Sequence, residues 1–248
     1  KPFEKKDDII AHQEAVKELS RNPRLLNHLR ATGQMSETEG LDIDHFSRQF
    51  MQTRLLSESY WRYFVYIAPI LFALCIVLSS FGLMPIAILG SCWTIFFIAS
   101  LTPMKDIRMK MSFFEKKIET LQTYSSLFEI IETEEFKSPL LIELQNKIKD
   151  GELASLAIRQ LKSYSNNLDQ SSNVLGLLLL NPIFFWNIIY SIKIEKWISR
   201  HQENIGSWLK VLAEFDSLVS FAVYAYNHPD YIYPEASETY ILEGKNLG

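Results

Sequence analysis

Groups able to do acid–base or metal chemistry are scattered along this chain. Its five histidines (His12, His28, His45, His201 and His228) have no second metal ligand at helical spacing. Neither Gly-x-Ser-x-Gly nor His-Glu-x-x-His occurs. Gly244-Lys245-Asn246 lacks the upstream glycine and the Ser or Thr that a phosphate loop needs. Glu14/Glu18 and Glu132/Glu134/Glu135 could pair as carboxylates for proton transfer, but on helices they read as solvated faces. Trp208 and Tyr226 could offer stacking platforms for bases, yet their spacing belongs to a packing seam. The polar run Lys162-Ser-Tyr-Ser-Asn-Asn167 carries one cation, too few for firm phosphate contact. The two cysteines, Cys75 and Cys92, form no Cys-x-x-Cys and read as small buried hydrophobes. No catalytic, cofactor-binding or metal-binding residue is assigned to this chain.

The elements that would position such groups are dominated by one feature. From Tyr63 to Met104 run 42 residues without a charged side chain. A hydrocarbon core takes about 20 apolar residues per helix, so the block fits two spans, 63–82 and 86–103, turning at Gly82 and Pro85. Arg48, Arg54 and Arg62 precede it, and Lys105, Arg108 and Lys110 follow, while the turn is uncharged. The positive-inside bias puts both flanks in the cytoplasm and the tip outside. Tyr60, Trp61, Tyr63 and Tyr66 suit the headgroup layer, and the expected membrane interface is Trp61, Arg62, Tyr63, Lys105 and Arg108. The competing reading is an apolar hairpin packed inside a soluble protein or oligomer, but neither helix has a polar face. With no ionisable group inside the spans, an ion path has nothing to use. The hairpin reads as an anchor.

The rest of the chain carries charge at the ordinary soluble level, and its net charge of −4 argues against a broadly basic nucleic-acid surface. Residues 5–31 predict two helices broken at Asn22-Pro23, and 33–40 a polar loop. Residues 41–62 predict a less regular helical approach to the block. A helix over 105–135 has the seam Met111, Phe114, Ile118, Leu121 and Phe128, with a polar gap at Ser125. Ser138-Pro139 predicts a capped start to a helix ended by Gly151, and a further helix covers 152–172 with Leu153, Leu156, Ile158 and Leu161. The apolar stretch 174–192 is interrupted by Pro182 and reads as a helix buried in a soluble core in preference to a third span. The last long helix, about 198–227, has the seam Ile205, Trp208, Leu212, Phe215, Val219, Ala222 and Tyr226, and stops at His228-Pro229. Tyr231–Glu235 and Thr239–Glu243 alternate enough for one or two short strands.

Two stretches, KPFEKKDDIIAHQEAVKELSRNPRLLNHLR at Lys1–Arg30 and WLKVLAEFDSLVS at Trp208–Ser220, resemble parts of the helical core of MutS-type mismatch-repair ATPases. Pro2, Ile9, Ala15, Val16 and Leu19 stand where that domain opens with P-L-x-x-x-x-x-I-x-x-R-x-x-A-V-x-x-L, and Gln13 follows a common variant. The run from Trp208 to Ser220 is similar to the family's lever helix, with its x-E-x-D-x-L-x-S-x-A signature. Tyr233-Pro234-Glu235 is similar to its Y-x-x-P-E, and Leu242–Gly248 resembles the segment leading into the ATPase domain. The likeness covers about 1–60 and 105–248. The chain departs from the family in leaving room only for a short connection where the DNA-gripping clamp sits, and in carrying the hairpin.

The expected fold is therefore mainly α: a multi-helix core and lever domain interrupted by a transmembrane hairpin, with a short β start at the C-terminal end. Its parts are 1–62 and 105–230 as the two halves of the core, 63–104 as the hairpin, and 231–248 as the link to an ATPase domain. The beginning at Lys-Pro-Phe and the end at Asn-Leu-Gly read as those of an internal fragment. The resemblance implies a membrane-anchored, ATP-dependent protein with ATP and Mg held beyond residue 248, a homodimer formed through that domain, and DNA as a possible partner. Membrane lipid is the other partner, at the cytoplasmic (inner) membrane. The alternatives are a membrane-tethered helical scaffold without DNA or nucleotide and, less favoured by the charge-free spans, a small transporter subunit.

Overall fold

The structure, a computed structural model, describes residues 6–34, 48, 50, 54–56, 60–170, 178 and 181–235. The protein is mainly α. In order come α1 (Lys6–Ser20), α2 (Pro23–Gln34), α3 (Trp61–Ser80), α4 (Ile86–Leu101), α5 (Met104–Thr133), α6 (Pro139–Lys149), α7 (Ala154–Gln170), α8 (Asn181–Phe184) and α9 (Trp186–Asn227). No strand occurs among the described residues. Tyr231–Glu235 is irregular where its alternation predicts a strand: Pro234 has no N–H for a ladder, and the Tyr233 ring lies 4.7 Å beneath the Lys17 ammonium. The second candidate strand, 239–243, lies outside the described residues.

The chain forms two compact units that cut across the halves expected from sequence. One comprises Lys1–Glu37, Ser126–Ser155 and Ser207–Gly248; the other comprises Thr38–Ser125 and Leu156–Gly206 and contains the hairpin. Helices α5 and α9 each contribute residues to both.

In the first unit, Asn22 caps α2, its Oδ1 accepting the Leu25 N–H at 3.1 Å while Pro23 fills the first helical position. Val16, Leu19, Leu25, Leu26 and Leu29 are buried with Leu141, Leu144 and Ile148 of α6. Phe128 meets Trp208 with ring centroids 6.4 Å apart, and Phe136 meets Phe215 at 5.7 Å. The last carbonyls of α5 need partners, as at any helix end; Gln145 Nε2 donates to Ile131 O and Glu134 O, both at 2.7 Å. Ser138 does not cap α6 as expected, for its hydroxyl is buried without a partner. The Glu18 carboxylate instead holds the chain just before α6, accepting the Lys137 N–H at 2.7 Å and the Ser138 N–H at 2.5 Å.

In the second unit, the expected α5 seam is buried at Met111, Phe114, Ile118 and Leu121, as are Ile158 and Leu161 of α7 and Ile188, Ile194 and Trp197 of α9. Leu156, predicted for the α7 face, is exposed; Ala154 and Ala157 are buried in its place. Phe50 packs on Phe114 at 4.5 Å and on Trp197 at 6.1 Å. Trp197 Nε1 donates to Ala157 O at 2.8 Å, and the half-buried Trp186 donates through Nε1 to Asn167 O at 2.8 Å, so both of these indoles have an acceptor.

The stretch read as one buried helix over 174–192 is not one helix in its described part. The single-turn α8 ends at Phe184, and Phe185 adopts φ 51° before α9 begins. Phe185 N–H donates to Asn181 O at 2.9 Å, and the Asn187 N–H donates to Asn181 Oδ1 at 3.2 Å. Left-handed backbone at a bulky residue is uncommon and costs about 1–3 kcal/mol. Burial of the ring, 0% exposed, offsets it. Helix α9 thus starts twelve residues earlier than the sequence predicts and runs for 42 residues.

Candidate membrane hairpin and lever helix

Helix α3 ends in paired carbonyl caps: Gly82 N–H donates to Ser79 O and Leu83 N–H to Leu78 O, both at 3.0 Å, with Gly82 at φ 71°. This is the left-handed helix stop that glycine accepts without strain. Pro85 then leads into α4. Helix α4 passes through the two-residue turn Thr102-Pro103 into α5, where the Ile107 N–H donates to Pro103 O at 3.0 Å.

The two antiparallel helices bury a narrow seam. Trp61, Val65, Ala68 and Phe72 are buried on α3, at the three- and four-residue spacing of one helix face. Phe96 of α4 meets Phe72 at 6.1 Å and Phe64 at 6.5 Å. Phe185 stands against both helices, 5.0 Å from Phe64 and 6.0 Å from Phe96. The remaining surface is apolar and outward. Ile70, Leu74, Val77, Ile86, Ile95 and Ile98 are all exposed. Two stretches are long and apolar enough to cross a membrane, Trp61–Ser80 and the one beginning at Ile86, and only 17% and 11% of their most apolar windows are buried. A core helix of a soluble protein would be mostly covered.

The expected interface residues sit at the foot of this hairpin. Trp61 is buried, whereas Arg62, Tyr63, Lys105 and Arg108 are exposed, as are Tyr60 and Tyr66. A carboxylate that sequence reasoning missed ties the foot down. Glu195 of α9 accepts the Leu56 N–H at 2.8 Å through Oε1 and the Arg62 guanidinium at 3.1 Å through Oε2. Nearby, Lys110 Nζ donates to Leu55 O at 3.3 Å. In the sequence, Glu195 is one of several charges following an apolar stretch, and nothing local singles it out.

Along α9, the predicted seam residues Ile205, Trp208, Phe215, Val219 and Ala222 are buried and Leu212 is half-buried; Tyr226 is exposed. The burial pattern continues backwards through His201, Ile198, Trp197, Ile194 and Ile188. Trp208, 1% exposed, cannot stack on a base. The two stretches that carry the family resemblance meet within the first unit. His12 Nε2 lies 3.7 Å from Glu214 Oε1, and Gln13 Nε2 donates to Pro234 O at 2.7 Å.

The carboxylates read as solvated faces divide. Glu14 and Glu135 are exposed. Glu18 holds the two amides before α6, Glu134 accepts from Asn22 Nδ2 at 3.3 Å, and Glu132 is buried. Its Oε1 accepts the Ser155 N–H at 3.0 Å, and its Oε2 accepts the Ser155 hydroxyl. These carboxylates hold helix ends and are not placed as an acid–base pair. In the second unit, Tyr164 and Tyr190 face the Lys193 ammonium, at 5.6 and 4.4 Å. A small cleft there is lined by Met104, Arg108, Glu115, Asp169 and Asn187 among others. Desolvation, then repulsion from Glu115, raises the Asp169 carboxyl above its ordinary range, and Lys162 opposes this. No group of three or more metal-ligating side chains is found among the described residues. His45 and Gly244–Asn246 lie outside them.

The chain matches no protein-family model, no curated protein and no solved structure.

Proposed function

We propose that this chain is the non-catalytic helical core of a membrane-anchored, MutS-like ATPase, with α9 as its lever. The observation that carries the reading is the rooting of an outward-facing apolar hairpin beside the start of a 42-residue helix. Phe185 and Glu195, at the head of that helix, hold the hairpin foot. A long helix with an unbroken packing seam transmits displacement, because close-packed interiors shift as units. The meeting of the two family-like stretches, through Gln13 with Pro234 and His12 with Glu214, supports the same reading.

In this proposal the hairpin crosses the cytoplasmic membrane with its tip outside. The helices outside the hairpin stand in the cytoplasm, and lipid is the immediate partner. ATP and Mg bind in a domain following residue 248, through which the protein pairs into a homodimer; DNA is the partner that domain and the core would act on. The test is to extend the reading frame past Gly248 and assay the longer protein for ATP binding. A Gly-x-x-x-x-Gly-Lys-Ser/Thr loop and saturable, Mg-dependent ATP binding are expected. A reading frame without that loop overturns the proposal.

One observation favours a second reading, a membrane-tethered scaffold. His228 stacks on Tyr231 at 4.7 Å and meets the tilted Tyr224 ring at 4.6 Å, and both tyrosines are exposed beside exposed Phe221 and Ile232. Aromatic surfaces of this kind suit protein partners. The scaffold requires a stop codon soon after Gly248 and no salt-dependent DNA binding.

A further inference from the structure

The chain has two cysteines, and both lie in the hairpin. They face one another across it: Cys75 Sγ on α3 stands 4.0 Å from Cys92 Sγ on α4, and both residues are half-buried. The contact follows from the packing register. Phe72 meets Phe96 at 6.1 Å, and the cysteines come one turn further along α3 and one turn back along α4. Cys75 is five residues short of the end of α3, and Cys92 six residues past the start of α4. At about 1.5 Å per residue, both sulfurs lie within roughly 10 Å of the tip-side helix ends.

We propose that Cys75 and Cys92 are an oxidisable pair that closes into an intramolecular disulfide, joining α3 to α4 on the tip side. A disulfide spans about 2.05 Å, so the sulfurs must approach by about 2 Å. Rotation of the half-buried side chains between staggered χ1 wells supplies such a movement. The oxidant is a small disulfide able to enter the apolar phase. One cysteine, as thiolate, attacks a sulfur of that reagent and displaces the first thiol. The second cysteine then attacks the resulting mixed disulfide and displaces the other thiol. Two protein thiols and one reagent disulfide become one protein disulfide and two reagent thiols, with electrons and protons balanced. In the orientation proposed above, the tip faces the compartment where disulfides persist. The proposal rests on the hairpin and is independent of the lever and ATPase readings.

The experiment treats the full chain, reduced and held in detergent micelles, with dithiodipyridine and reads its intact mass. The expected product has lost two hydrogens, carries no thiopyridine and is monomeric. Cys75→Ser and Cys92→Ser each retain one thiopyridine on the remaining thiol. A wild-type chain that keeps thiopyridine on both cysteines, forms linked dimers or stays reduced overturns the pair. Extraction of the same protein from membranes with alkaline carbonate tests the hairpin reading separately. A chain that stays in the membrane pellet but gives the double adduct overturns the pair alone.

Discussion

Glu132 shows how much a single buried side chain can carry. It is 7% exposed and accepts both the amide and the hydroxyl of Ser155 at the start of α7. Hydrogen bonds to a charged acceptor contribute about 1.5–3 kcal/mol, and an orphaned buried donor adds its desolvation cost. Glu132→Ala is therefore expected to lower unfolding stability by about 2 kcal/mol, read from urea titrations in detergent. Asp169 carries the pH dependence. Its carboxyl is raised by desolvation and by Glu115, so the folded chain binds that proton more tightly than the unfolded one. Its contribution is fully present below the ordinary Asp pKa and is lost as pH rises through the raised value. Asp169→Asn should then unfold at higher urea than wild type at neutral pH and at the same urea in acid below the ordinary range. A variant that gains equally at both pH values contradicts this assignment.

At the scale of elements, the seams of α5 and α9 were readable because apolar residues every three or four positions leave a helix one way to bury them. What the spacing concealed were the ends. Asn22 and Pro23 mark the start of α2 openly. Ser138 has the right residue type for a cap, yet the carboxylate of Glu18 takes the amides, and Glu18 is 120 residues away. The break at Phe185 was equally hidden, since a φ of 51° carries no signature at a phenylalanine. Glu195 belongs to the same class: its partners, Leu56 and Arg62, are distant in sequence and adjacent only once folded. Glu195→Ala removes the acceptor of the Leu56 N–H and the partner of Arg62. An expected loss of about 1–3 kcal/mol follows, measurable as a lower thermal midpoint in detergent, with protease cleavage appearing first near residues 54–62.

For the whole molecule, the issue is whether the exposed apolar face of the hairpin meets lipid or water. Leu74 lies in the second half of α3 and is 52% exposed. An arginine well inside a membrane span costs about 2.5–3.5 kcal/mol of insertion free energy. On a water-facing helix the same change stays within about 0.5 kcal/mol. Leu74→Arg is expected to reduce the fraction of chain that resists alkaline carbonate extraction. Wild type released by carbonate, or a variant indistinguishable from it, contradicts the membrane assignment. The exposed Tyr63, Tyr66, Lys105 and Arg108 at the foot are where headgroups would lie, so conservative changes there should alter depth more than fold.

The sequence by itself determined the mainly helical architecture and the charge-free hairpin with its cationic flanks. It also determined most of the α9 seam, because periodicity and the absence of charge are local properties of the chain. Tertiary structure decided which carboxylates are caps, that Tyr226 leaves the seam, and that the residues of α5 and α9 divide between two units. It set Phe185 against both hairpin helices and brought Cys75 to face Cys92. Each of these depends on a partner far along the chain, and only packing determines which distant groups meet.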